Sequence, residues 1–394
     1  MSAVQSVAGN PAIDEVALDL VRDRLAALGR HYTPVDVATA MRAEGLIVSD
    51  SAVLDTVESL RRHSVGAGPL EPLLREPGVT DVLVNGPNQV FIDRGAGLEL
   101  TDLQFPSERD VRRLAQRLAA SVGRRLDDAV PFVDARMADG SRVHAVLGTL
   151  ASPGTCISLR VPAQRSFSLE DCVASGSLTP GTAELLSRMI GAKLAFLISG
   201  GTGSGKTTLL AALLALVAPR ERIVIVEDSR ELAPNHPHVV RIEGRPANAE
   251  LAGAISLTDL VRQSLRMRPD RLVVGEVRGA EICDLLTAMN TGHEGGCGTV
   301  HANSTADIPA RLEALAALGG LPRAALHAQL ASALDAVIHV ARDDSGRRRV
   351  AEISIFVRDL RSGLVSSECA VHFLPNGGRV LGPGSRQLER MLES

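Results

Sequence analysis

Gly200-Gly-Thr-Gly-Ser-Gly205-Lys206-Thr207 matches the pattern G-x-x-x-x-G-K-[ST] in full. Its residue types are those that a polyphosphate requires. Glycines let consecutive backbone N–H groups curl around phosphate oxygens, and a helix opening at the lysine adds partial positive charge. Lys206 is placed for the β- and γ-phosphates, and the Thr207 hydroxyl for Mg²⁺. The motif carries meaning only between a strand and a helix, and both are expected here. Leu194–Ile198 reads as a buried strand and Thr207–Val217 as a helix. The expected nucleotide contacts are Gly200, Gly201, Thr202, Gly203, Ser204, Gly205, Lys206, Thr207 and Thr208. No G-x-G-x-x-G occurs, so a dinucleotide fold has no support.

Splitting a triphosphate also needs carboxylates that hold Mg²⁺ and orient water. Two strand ends offer them. Ile223-Val-Ile-Val-Glu227-Asp228-Ser-Arg-Glu231 places three acids just past a buried run, and Leu272-Val-Val-Gly275-Glu276-Val-Arg278 places one past another. In open α/β sheets the carboxyl ends of strands face the ligand, so both clusters are expected beside the phosphate loop. Thr207, Glu227 and Glu276 are the expected Mg²⁺ ligands, directly or through water. For any single acid the alternative is a cap that opens the next helix.

The third cluster is Asn290-Thr-Gly-His293-Glu-Gly-Gly-Cys297-Gly-Thr-Val-His301-Ala-Asn303-Ser304. Equal spacing of His293, Cys297 and His301 suggests a metal site, but the glycines preclude a regular helix face and no fourth ligand has the right spacing. Two polar histidine loops near the nucleotide, sensing or positioning the γ-phosphate, fit better; structural histidines are the alternative.

These residues sit in an ordinary globular composition, 45% apolar and 22% charged. The 394 residues suffice for two or three domains. The longest apolar stretch, Leu209–Ala218, has ten residues, half of what a membrane-spanning helix of about 20 needs. The first ten residues show neither a basic start nor an apolar block, so a cytoplasmic location is expected. Five cysteines without a C-x-x-C form neither a disulfide framework nor a zinc knuckle. Net charge is −4, with 18 basic and 21 acidic residues in 1–165 and 24 and 25 in the rest. Neither part has the basic excess of a dedicated nucleic-acid binder, and one tyrosine, seven phenylalanines and no tryptophan leave few stacking platforms.

Three segments must position the chemistry. Residues 1–60 read as helical, with Val16, Leu18, Leu20, Val21, Leu25 and Leu28 at helical spacing. Residues 61–165 read as an α+β domain of short strands around a helix at Glu108–Val122, closed by a linker at Pro162-Ala-Gln-Arg-Ser. Residues 166–394 alternate continuous apolar strands with helices, the pattern of an α/β domain with a mostly parallel sheet. Val350–Val357 is a further strand, and residues 376–394 are expected to be loosely held.

With these motifs in this order, the chain resembles the secretion-superfamily traffic ATPases, most of all the tight-adherence (CpaF-like) pilus-assembly branch, over about residues 60–340. Gly200–Thr207 is similar to that family's Walker A and Glu227–Glu231 to its acidic Asp box. Gly275-Glu276-Val-Arg278-Gly279 is similar to its atypical Walker B, and Thr291-Gly-His293 through His301-Ala-Asn303 to its His box. Gly68-Pro-Leu-Glu-Pro, Val84-Asn-Gly-Pro, Asp134-Ala-Arg136 through Arg142 and Ile157-Ser-Leu-Arg160 resemble its N-terminal domain. The tetracysteine insert of the type II secretion and pilus-extension branches is absent, and Cys297 has no counterpart in the motif.

The resemblance implies a RecA-like P-loop domain behind a smaller α+β domain, and ATP hydrolysis with Mg²⁺. It implies a homohexameric ring at the cytoplasmic face of the inner membrane that drives pilin or substrate through a platform protein, with peripheral membrane contact and no nucleic acid. Glu276, Glu231 and His301 become the expected catalytic residues, with Arg142 and Arg160, and Arg136 behind them, reaching the γ-phosphate. Two rivals remain. Six arginines against one acid in 109–125 leave room for a DNA-handling helicase or translocase, and a nucleotide-binding switch without turnover is the other.

Overall fold

Val82 and Val84 are buried while Asp81, Leu83 and Asn85 lie half-buried, the period-two pattern of a strand with one covered face. Such strands build the first of two compact units, Met1–Pro162 and Ala163–Ser394. The computed structural model describes residues 20–21, 24–25, 33–46, 48–54, 56–57, 66–95, 97–161, 167–245, 247, 253–343 and 346–393. Most of the expected helices in 1–32, and the linker 162–166, lie outside the described residues.

The first unit holds an antiparallel sheet of β1 (Asp81–Asn85), β2 (Val90–Asp93), β3 (Leu98–Leu100), β4 (Phe132–Arg136), β5 (Arg142–Val146) and β6 (Cys156–Arg160), in the order β3-β2-β1-β6-β5-β4. The helix Glu108–Ser121 turns Val111, Leu114, Ala115, Leu118 and Ala119 into the core beneath it. Arg117 turns in against Gly68, while Arg109 and Arg113 are exposed, Arg112 meets Asp128 and Arg113 meets Asp110. That is a solvated helix face. The helix Pro34–Ala43, started by a Thr33–Asp36 capping box, belongs to a separate small core with Val21, Leu25 and Val53.

Among the described residues the second unit carries nine strands: β7 (Phe196–Ser199), β8 (Ile223–Glu227), β9 (Val239–Glu243), β10 (Arg271–Val277), β11 (Cys297–Val300), β12 (Ala336–Arg342), β13 (Arg348–Arg358), β14 (Val365–Phe373) and β15 (Arg379–Leu381). Their order is β15-β14-β13-β12-β7-β11-β10-β8-β9. From β12 to β9 the pairing is parallel; from β12 to β15 it is an antiparallel meander. Both faces are covered. Phe196 and Ile198 point into one core with the helix Lys206–Leu214, while Leu197 points into the other with the helix Glu281–Met289. This is why β7, β8 and β11 are buried at every residue, and why β7 and β8 read as apolar runs.

Residues 376–393, expected to be loosely held, are packed in place. β15 pairs with β14, and the helix Ser385–Glu393 buries Leu388, with Met391 and Leu392 packed on the same core. The i, i+3, i+4 spacing of those three residues is the amphipathic signal, short enough to be hidden among the charges around it. Among the described residues no helix is long and apolar enough to cross a membrane.

Candidate nucleotide-binding site

The chain leaves β7 at Ser199 and turns through Gly200–Gly205 into the helix Lys206–Leu214. Gly200, Gly203 and Gly205 have φ of +149°, +67° and +96°, a region that side chains rarely enter. At Gly200 space is closed as well, since a Cβ would lie 2.3 Å from the Val340 carbonyl oxygen. Lys206 is buried, and its Nζ donates to the carbonyls of Gly200 (3.0 Å) and Gly201 (2.8 Å). Ser204 Oγ donates to Gly201 O as well, at 2.8 Å. Burial lowers the Lys206 pKa against the opposing pull of Glu276 and Glu231. An anion in the loop would give this ammonium a charged acceptor in place of two carbonyls, a stronger kind of hydrogen bond.

Parallel pairing brings the other chemistry to the same edge. β8 and β10 are neighbours, so Glu227 and Glu276 emerge side by side at the carboxyl ends of their strands, and β11 delivers His301 next to them. Arg278 Nη2 donates to Glu276 Oε2 at 2.6 Å. His301 Nε2 stands 2.9 Å from Glu276 Oε1, without the alignment of a hydrogen bond. Burial pushes the Glu276 carboxyl up, but the Arg278 hydrogen bond and the charges of Arg278, His301 and Lys206 overcome it and leave its pKa low. Burial and Lys206 lower the His301 pKa, so at neutral pH this contact is a neutral imidazole beside a carboxylate and not an ion pair.

Glu227 has a different surrounding. It is buried, and Oε1 accepts the backbone N–H groups of Glu231 (2.9 Å) and Leu232 (2.8 Å). Burial raises its pKa, and those amides and Arg241 offset this only in part. Its Oε1 thus shapes the turn that carries the exposed Glu231, while Oε2, on the residue expected as a metal ligand, is left without a hydrogen bond.

The histidine cluster divides. His301 lies at the loop's edge of the sheet, but His293 precedes β11 at the opposite edge, where Nδ1 caps the helix Glu281–Met289 at the Ala288 carbonyl (3.1 Å). Cys297 is buried inside β11. A strand of the sheet therefore separates the two histidine loops, and of the two histidines His301 lies at the phosphate loop's edge of the sheet, beside Glu276. Among the described residues no three His, Cys, Asp or Glu side chains form a metal-holding group.

Arg142 and Arg160 belong to the first unit, where they are direct partners across β5 and β6. Arg142 grips Asp134 through Nε (2.9 Å) and Nη2 (2.5 Å), and Arg160 Nε reaches Asp81 at 3.1 Å. Arg136 is the partner of Arg142 on the other side, across β4.

Sequence reasoning missed three residues around the loop. His339 Nδ1 pairs with Ser199 Oγ at 2.9 Å, and Arg342 and Arg348 both donate to the carbonyl of Gly203. They come from β12, which lies beside β7 only because of strand order, and from its neighbour β13, and no local motif marks them.

Residues 63–375 match the family described as type II/IV secretion system protein. A protein of Mycobacterium tuberculosis named "Putative conjugal transfer protein" is 55% identical over 315 residues, 78% of this chain and 90% of that one. The type IV secretion system protein PtlH of Bordetella pertussis is 33% identical over 316 residues, 72% of this chain and 92% of PtlH. Among solved structures, the pilus retraction motor PilT with bound ADP has a TM-score of 0.52 at 18% identity, over 75% of this chain and 83% of PilT, a likeness of the RecA-like P-loop fold. With four-fifths of its residues inside the family match, and relatives similar along most of their length, this chain belongs to the type II/IV secretion system protein family.

Proposed function

We infer that this chain binds ATP at Gly200–Thr208 and hydrolyses it with Mg²⁺ to drive a secretion machine. The observation that carries the reading is the shared sheet edge, where Lys206, Glu276 and His301 act on one another's charge. A low carboxyl pKa keeps Glu276 ionised at neutral pH, as a water-orienting or cation-holding acid must be. His301 beside it is suited to sense the γ-phosphate, and Glu231 is the second acid.

The residues fit Mg²⁺. Glu276 Oε1 and Glu227 Oε2 are buried oxygens without hydrogen-bond partners, and Mg²⁺ on a nucleotide asks for only one or two carboxylates beside the phosphates. Thr207 and Glu276 would hold the ion, directly or through water, and it would neutralise charge on the β/γ oxygens. Arg142 and Arg160 would supply positive charge from the first unit as the terminal phosphate leaves.

The motif likeness favours a tight-adherence pilus motor. It would work as a hexameric ring at the cytoplasmic face of the inner membrane, against a platform protein. The M. tuberculosis relative's name favours a second reading, a motor for conjugal transfer. Titrating purified protein with ATP and Mg²⁺ tests the common core: saturable binding and turnover are expected, and no binding refutes it. Turnover raised by DNA would favour the second reading; turnover raised by anionic vesicles and not by DNA, the first.

A further inference from the structure

Arg342 ends β12 and Arg348 opens β13, and the two are direct partners across that hairpin. Like charges placed opposite one another destabilise a strand pair, and an acceptor that both can reach offsets this. The phosphate loop provides it. Arg342 donates from Nε (3.2 Å) and Nη2 (2.9 Å), and Arg348 from Nε (3.1 Å), to the carbonyl oxygen of Gly203. Three N–H groups of two cations thus meet an oxygen that has two lone pairs. Strand order makes the contact possible. β12 runs parallel beside β7 with His339 opposite Ser199, so Arg342 lies three residues further along, about 10 Å, beside the loop that leaves Ser199.

The peptide joining Gly203 to Ser204 is planar and trans, so its carbonyl and its N–H point in opposite directions. With the Gly203 oxygen held outward by the arginines, the Ser204 N–H is turned inward. There it points at the Gly201 carbonyl from 3.4 Å, the same oxygen that Lys206 Nζ holds. An inward N–H is what a phosphate oxygen needs. Glycine at 203 leaves this peptide free to rotate, so an outside hold has an effect. Arg348 adds a second contact: its Cδ would be 3.2 Å from a Cβ at Gly205, and it lines a cavity of about 170 Å³ with Ser204, Thr208 and Val350 beside the loop.

We propose that Arg342 and Arg348 are positioning residues for the nucleotide: they lock the Gly203–Ser204 peptide with its N–H toward the bound phosphate. The inference rests on the reading that this loop binds ATP. The arginines touch the outer side of the loop, so they set how firmly the polyphosphate is held and leave the chemical step alone.

The test compares wild type with the double variants Arg342→Ala/Arg348→Ala and Arg342→Lys/Arg348→Lys. The readouts are fluorescent ADP binding, KM and kcat for ATP, and the thermal midpoint of the nucleotide-free protein. The alanine pair should raise KM and the ADP Kd about tenfold, with kcat within about twofold. The nucleotide-free midpoint should not move. The lysine pair, which can still donate to Gly203 O, should recover most of the affinity. Unchanged KM and Kd would overturn the proposal, and so would a fall in kcat alone. A lowered midpoint with no recovery in the lysine pair would also overturn it, since that marks hairpin packing. If wild type binds nucleotide and the alanine pair binds it equally, this inference alone fails; if wild type binds none, the site reading fails with it.

Discussion

Gly275 leaves open the space that the Glu227 side chain fills: a Cβ at 275 would lie 2.6 Å from Glu227 Cγ. Glu227 ends β8, Gly275 follows Val274 in the adjacent parallel strand β10, and Thr299 from the next strand donates to the Gly275 carbonyl at 2.7 Å. The glycine that precedes the site acid Glu276 thus serves a carboxylate on the neighbouring strand. Gly275→Ala should push Glu227 off the amides of Glu231 and Leu232 and cost about 1–3 kcal/mol of stability, with turnover falling as the 227–232 turn shifts. Thermal denaturation and an ATPase assay read both effects. A variant with wild-type midpoint and turnover would show that the space is not needed.

Glu227 also predicts a pH dependence. Burial raises its folded pKa above the unfolded value, so its share of stability is fully present below that unfolded value and is lost as pH rises through the folded one. Glu227→Gln keeps an acceptor for the two amides and removes the titration. The variant should therefore gain on wild type as pH rises from the ordinary carboxylate range, with no such gain under acid conditions. Thermal midpoints across pH check this, and a difference that does not vary with pH would contradict it.

Glu276 should separate binding from hydrolysis. Its carboxylate is held ionised by Arg278 and Lys206, and the phosphate loop does not depend on it for shape. Glu276→Gln should lower turnover about a hundredfold or more, with ATP affinity within a few-fold of wild type. Equal turnover in variant and wild type would remove Glu276 from the chemistry. Lys206→Ala, in contrast, should weaken binding itself.

Much of the site was legible because the loop and both acid clusters each follow an apolar strand, and in a parallel sheet such ends share one edge; His301 was legible only through the motif likeness. The strands around them were legible for the same reason: burial on both faces leaves unbroken runs such as Ile223–Val226. Legibility ended where position depends on strand order. Cys297–Val300 is four residues with a glycine and a threonine, too short and mixed to read as a central strand, so His293 was placed at the wrong edge. Arg342 and Arg348 reach the loop only because β12 lies beside β7, and the part Glu227 plays in holding the 231–232 turn depends on Gly275 lying across from it.

Arg160 offers the sharpest test of the first unit's part. It faces Arg142 directly across β5 and β6, and each arginine has its own acid, Asp81 for Arg160 and Asp134 for Arg142. Two opposed cations cost stability, and acids that offset them are what a pair kept for another anion would need. If Arg160 exists only to pair with Asp81, removing either partner should have the same effect, on stability alone. If it supplies charge to the terminal phosphate, Arg160→Ala should lower turnover by about a hundredfold, and Asp81→Asn, which leaves the guanidinium in place, should not. Mg²⁺ dependence should be unchanged in both, since neither residue is placed as a ligand. Steady-state turnover of the two variants, with circular dichroism to confirm folding, decides between these outcomes; equal turnover in Arg160→Ala and wild type would leave Arg160 a surface ion pair.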